Sequence, residues 1–225
     1  MPRWLANLLM VILVIGIPPF IVLSNLFLFL TPQYLDFEYN KPDFPPADRF
    51  NAQDRRHFAA ASIEYERGNI NFEAFQALGV YNAREINHMV DVRVLIAEVS
   101  TFHTMDAILL FVLLLVLATQ SATRALAARG LLAGGLLTLA LFGAIGLFAA
   151  FGFNTFFTDF HRIFFSGDTW LFNYSDSLIQ FYPERFWFDT SIYLAGLTIV
   201  EAVIVGALGW IWGKRQAPVG SSQVS

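Results

Sequence analysis

Residues 84–93, Arg84-Glu85-Ile86-Asn87-His88-Met89-Val90-Asp91-Val92-Arg93, place an imidazole beside carboxylate and guanidinium groups within about three helical turns. His88 and Asp91 are three apart and would share a helix face, where the carboxylate could orient the ring and raise its basicity for general acid–base work. A row of solvated charges on an exposed helix is the plainer alternative. His161 stands beside Arg162 in a second segment, 153–189, that carries 14 aromatic residues in 37 positions. Asp159, Asp168, Trp170, Asn173 and Asp176 lie near it in sequence. Burial among rings would lower its pKa and a carboxylate neighbour would raise it, so the sign stays open. An amphipathic anchor with its polar edge in water competes with a chemical role.

The other histidines offer less. His57 reads as a cap residue, and His103 with Asp106 reads as a pair snorkelling toward an interface. A metal shared by His88 and His103 is disfavoured, because fifteen residues of helix separate them by about 22 Å. No HExxH, P-loop or GxSxG element occurs, there is no cysteine, and no metal or cofactor is expected. Ser166 and Ser175 lack an evident triad.

These groups need a scaffold, and the composition says which kind. The 225 residues are 56% hydrophobic and 14% charged, which marks an integral membrane protein. Four apolar stretches, 5–30, 107–119, 131–153 and 191–212, suit spanning helices of about 20 residues. The fold class expected is an all-α membrane protein: a four-helix transmembrane bundle with an extracytoplasmic helical cap and an aromatic interfacial segment. The first stretch is too long for a signal peptide and lacks a good small-residue cleavage site, so it reads as a retained anchor, kinked at Pro18 and Pro19.

Arg3, Arg124, Arg129, Lys214 and Arg215 sit in segments free of acids, which places both termini in the cytoplasm. The expected division is a first span at 1–30, an extracytoplasmic cap at 31–100, a second span at 101–120 and a cytoplasmic link at 121–130. A third span at 131–153, the aromatic segment at 154–190, a fourth span at 191–212 and a cytoplasmic tail at 213–225 complete it. The net charge of −4 gives no support to nucleic-acid binding.

Within the cap, proline-rich residues 31–46 read as an irregular strap, and helices are expected from Asp48 to Gly68 and from Phe72 to Gly79. Asn82 and Glu85 have capping-box spacing and would start a long helix running through His88 into the second span. If it is continuous, His88 stands about 20 Å above the start of the span, and either the cap must tilt or the aromatic floor must rise to meet it. Gly134, Gly135, Gly143 and Gly146 would let the third span approach its neighbours closely. Glu201, near the middle of the fourth span, should face the bundle interior with a partner.

Two stretches together, REINHMVDVR at 84–93 and FHRIFFSGDTWLFNYSDSLIQFYPERFWFD at 160–189, resemble the four-span bacterial family that includes the lipoprotein intramolecular transacylase. The resemblance runs from the first span to the fourth. It implies a plasma-membrane enzyme that moves an acyl chain within a diacylated lipoprotein, from the sn-2 position of its diacylglyceryl group to the α-amine of the N-terminal cysteine, leaving the lyso-form. It implies His88 and His161 as the catalytic pair, facing the extracytoplasmic side. Which ring is base and which is acid stays open.

Converting an ester to an amide is downhill and requires no nucleotide or metal, and a histidine base is well matched to an α-amine of pKa near 8. Arg93, Arg162 or Trp170 would face the oxyanion, with Asp91 and Asp176 in support. The implied partners are diacylated lipoproteins and membrane lipids, with a monomer favoured. The rival class is a non-enzymatic scaffold or receptor-like protein binding a partner through its outer head, in which the two histidines would be apart and exposed. A four-helix cytochrome ranks low, because no histidine lies deep in a span.

Overall fold

The computed structural model describes residues 1–165, 167 and 169–216, apart from the side chains of 149–151. Among the described residues every regular element is a helix: α1 (Arg3–Phe29), α2 (Pro32–Tyr39), α3 (Ala52–Glu66), α4 (Phe72–Gln76), α5 (Ala83–Thr119), α6 (Arg124–Phe151), α7 (Phe153–Phe164), α8 (Ser177–Phe181) and α9 (Glu184–Gln216). Helices α1, α5, α6 and α9 are long and apolar enough to cross a membrane. Each is longer than the apolar stretch that announces it. α6 starts at Arg124 because Arg124-Ala-Leu-Ala-Ala-Arg129 is made of strong helix formers, so most of the expected link is its first turns. α1 stays helical through Pro18 and Pro19. The polar tail beyond Gln216 lies outside the described residues.

The chain forms two compact units. One comprises Met1–Val22, His103–Ile145 and the chain from Gly196 onward. Its core is Leu13, Ile17, Ile21, Leu110, Leu113 and Leu117 with Ala127 and Ala202. Small residues bring α6 against α9: a Cβ on Gly135 would lie 2.6 Å from the Ala202 carbonyl oxygen and 2.8 Å from the Gly206 nitrogen. Gly134 faces the Ile17 side chain, whereas Gly143 and Gly146 have nothing within 4 Å. Gly135→Leu should therefore destabilise the protein by about 1–3 kcal/mol, while Gly143→Leu should stay within about 0.5 kcal/mol. Reversible unfolding in mixed micelles compares them, and equal losses would contradict the close approach.

In this unit His103 stacks on Phe20 at 5.3 Å, and Asp106 is only 7% exposed with Oδ2 unpartnered. The expected pair snorkelling out to the interface is thus corrected for Asp106, which is buried. Glu201 is half-buried on α9.

The other unit comprises Leu23–Phe102 and Gly146–Ala195. Its core is aromatic, with Tyr65, Phe75, Phe181, Tyr182 and Phe186 around Leu35, Ile63, Met89 and Leu178. The expected irregular strap is corrected: residues 32–39 are helical. Pro32 occupies the first turn and the Thr31 hydroxyl accepts from the Tyr34 N–H at 3.2 Å. Eight residues present too little periodicity to betray a helix in sequence. Its fully buried Glu38 is matched by Lys41 at 2.8 Å, and Lys41 also reaches Asp189 at 2.7 Å. Gly68 at φ 81° and Gly79 at φ 67° end the α3 and α4 segments where expected.

Candidate active site

The first turn of α5 is fixed from both sides. Asn82 and Glu85 form a reciprocal capping box, the Asn82 N–H donating to Glu85 Oε2 at 2.8 Å and the Glu85 N–H to Asn82 Oδ1 at 3.1 Å. The other oxygen of Glu85, a residue 1% exposed, accepts from the Leu178 N–H at 2.7 Å. Burial raises the Glu85 carboxyl above its ordinary range, and the two backbone donors pull it back down. Arg84 donates to the Leu171 carbonyl at 3.0 Å, and Asn82 Nδ2 donates to Asp176 Oδ1 at 3.1 Å. One helical turn thus holds the segment around 171–178.

One turn further along α5 is His88, packed against the segment this clamp holds. It is 8% exposed and lies edge-on to Phe165 at 4.9 Å and Phe172 at 5.3 Å. Opposite it is His161 of α7, the two rings 6.3 Å apart between centroids and 26° from parallel. The aromatic segment therefore meets a continuous α5 at His88, thirteen residues before Thr101. Around His161 lie Phe157 at 4.1 Å, Trp170 at 5.0 Å and Phe165 at 5.7 Å.

Hydrogen bonding distinguishes the two rings. His161 Nδ1 is 2.7 Å from the Phe157 carbonyl oxygen. A carbonyl only accepts, so Nδ1 carries the proton and Nε2 presents a lone pair. His88 Nδ1 is buried with no partner. An orphaned buried N–H is rarer than an orphaned acceptor, which assigns the His88 proton to Nε2. One ring then offers a base and the other a donor. Burial and the neighbouring His161 lower the His88 pKa to about 4; burial also lowers that of His161, against the pull of the Phe157 carbonyl. Burial thus favours the neutral form of both imidazoles.

The expected supporting groups fare differently. Asp91 is exposed and makes no bond to His88, whose Nδ1 is unpartnered, so the expected His–Asp pair is corrected. His88 lies at the edge of the buried stripe of Glu85, His88 and Met89, and Asp91, about 60° further round α5, falls on its exposed side. Arg93 donates to the Ile70 carbonyl at 2.9 Å and lies over Tyr65. Arg162 is on the surface, 3.4 Å from Asp159. Asp176 accepts from the Asn173 N–H at 2.7 Å and is architectural. Of this group only Trp170 touches the histidines, and its Nε1–H is engaged by the Gly167 carbonyl at 3.1 Å. Ser166 and Asp168 lie outside the described residues. Glu85, Phe165 and Phe172 went unread in sequence as site-formers, although the Asn82–Glu85 spacing was a usable signal. Among the described residues no three His, Asp or Glu side chains converge as a metal site.

Four membrane-crossing helices, no strand among the described residues, and a histidine-lined aromatic cleft define an all-α, multi-pass integral membrane protein. Residues 8–187 match the family described as lipoprotein intramolecular transacylase Lit, and the chain belongs to that family. It is accordingly a membrane-integral transacylase acting on lipoproteins. An uncharacterised protein of Aquifex aeolicus (strain VF5) is 25% identical over 192 residues, 81% of this chain and 84% of that protein. The in meso structure of the membrane integral lipoprotein intramolecular transacylase Lit from Bacillus cereus superposes with a TM-score of 0.81 at 18% identity, covering 96% of this chain and 99% of that one. A version of that protein with one histidine replaced by alanine gives a TM-score of 0.71 at 19% identity, covering 94% and 95%.

Proposed function

We propose that the chain transfers the sn-2 acyl group of a diacylglyceryl-cysteine to the α-amine of the same cysteine, using His161 as base and His88 as donor. The observation that carries this reading is the pairing of two neutral imidazoles of complementary tautomer in an apolar cleft. The free amine attacks the ester carbonyl, a C–N bond forms and the C–O bond to glycerol breaks. His161 Nε2 takes the amine proton, His88 Nε2–H goes to the departing glyceryl oxygen, and the proton held on His161 passes back to His88, so that both rings end neutral. Nucleophile and ester belong to one molecule, so holding them about 3 Å apart supplies on the order of 7–11 kcal/mol. Phe157, Phe165, Phe172 and Trp170 keep water out, and a desolvated ammonium sheds its proton more readily there. The Arg and Lys residues of 3, 124, 129, 214 and 215 support cytoplasmic termini, with the cleft on the outer side.

Mass spectrometry of lipoprotein N-termini, in a bacterial host lacking other N-acylation, tests the reaction. Expression should convert diacylglyceryl-cysteine to the N-acyl lyso-form, whereas unchanged N-termini would favour a scaffold. The pH dependence tests the roles. A base of lowered pKa stays unprotonated to lower pH, so kcat should hold through pH 6.5 and be lost only as pH falls through the depressed histidine values. An acid limb centred at or above the ordinary imidazole value of about 6.5, once the titration of the substrate's own amine is divided out, would contradict the assignment.

A further inference from the structure

A second cavity, of about 660 Å3, is lined by Phe27, Leu30, Arg67, Arg93, Ile96 and Ala97, with neither catalytic histidine among its walls. Arg93 follows His88 by five residues and lies about 140° round α5 from it, so the helix itself stands between cavity and cleft. The lining is graded. Along α5 the charged Arg93 comes first, then the apolar Ile96 and Ala97, with the small Ser100 beyond them.

Both guanidinium groups are held yet incompletely used. Arg67 Nη1 donates to the Leu30 carbonyl at 2.8 Å; Arg93 Nη1 donates to Ile70, and its plane lies 4.5 Å over Tyr65. Each fork has five N–H donors, and among the described residues neither forms an ion pair. Gly68, between α3 and the following turn, adds no side chain, and a Cβ there would sit 3.8 Å from Arg93 Nη2. Glu66 also lines the cavity, but burial pushes its carboxyl up to about 8, so near neutral pH it is mostly uncharged and does not cancel the arginines.

We propose that this cavity binds an anionic glycerophospholipid of the surrounding membrane, its phosphodiester held by Arg67 and Arg93 and an acyl chain lying against Phe27, Leu30, Ile96 and Ala97. Paired guanidinium groups suit phosphate oxygens, and the apolar end suits a tail rather than a free anion. The volume is within the usual range of ligand sites.

The test uses the full chain in detergent, offered equal phosphatidylglycerol and phosphatidylcholine, with retained lipid counted by native mass spectrometry. Phosphatidylglycerol should be retained at least ~10-fold over phosphatidylcholine, whose phosphate is the same but whose quaternary ammonium would set a third positive charge against the two guanidinium groups. Arg67→Gln should remove that preference. Ala97→Trp, which fills the apolar end and leaves both charges, should displace the lipid as well. Thermal unfolding in phosphatidylcholine checks that each variant is folded, and Arg67→Gln decides alone if the tryptophan does not fit. Equal retention of the two lipids, a preference surviving in folded variants, or displacement of phosphatidylglycerol by excess inorganic phosphate would each overturn the proposal.

Discussion

Replacing His161 with glutamine should lower the rate of lyso-lipoprotein formation by about 10²- to 10⁴-fold, the range that positioned proton transfer supplies. Glutamine keeps polarity and approximate size but cannot carry a proton at neutral pH. His88→Gln should fall toward the smaller end of that range. An amide N–H can still hydrogen-bond the departing oxygen although it cannot hand over a proton. The double variant should be no slower than the worse single one, since the two rings act as one unit 6.3 Å apart. Single-turnover assays on a synthetic diacylated lipopeptide give these rates, with thermal unfolding confirming the fold. Both single variants remaining within about 10-fold of the parent would eliminate the pair as acid and base.

Glu85→Ala should be the most destabilising single change near the cleft. Its carboxylate accepts from the Asn82 and Leu178 N–H groups, and a methyl would leave both donors unpaired. At about 1–3 kcal/mol for each orphaned donor, the loss is roughly 2–6 kcal/mol. Glu85→Gln keeps one acceptor oxygen and should lose about half as much. Because the bond to Leu178 holds the Phe172 segment against His88, the glutamine variant should also lose kcat at temperatures where it is fully folded. Chemical denaturation paired with kcat measured well below the unfolding transition separates the two effects. A stable glutamine variant of unchanged kcat would reduce Glu85 to a helix cap.

Much of this molecule is determined by local sequence. Four apolar stretches can satisfy their backbone groups in lipid only as helices, so the spanning elements and their number are legible without coordinates. The capping box at Asn82 and Glu85 and the glycine stops at Gly68 and Gly79 are likewise local, because one turn of chain contains both donor and acceptor. The resemblance carried by 84–93 and 160–189 singled out the two histidines.

The tertiary structure decided how those rings are surrounded. A spacing of three suggested that Asp91 orients His88, but it leaves the two about 60° apart, and periodicity does not say where between them the buried stripe of the helix ends. The clamp from Glu85 to Leu178 and from Arg84 to Leu171, across more than 80 residues of chain, turns His88 toward Phe165 and Phe172 and leaves Asp91 in water. The same long-range packing set the direction of the pKa shifts. Among the described residues no carboxylate lies against either ring, and burial lowers both pKa values, a direction that composition left open because it depends on which neighbours arrive from distant segments.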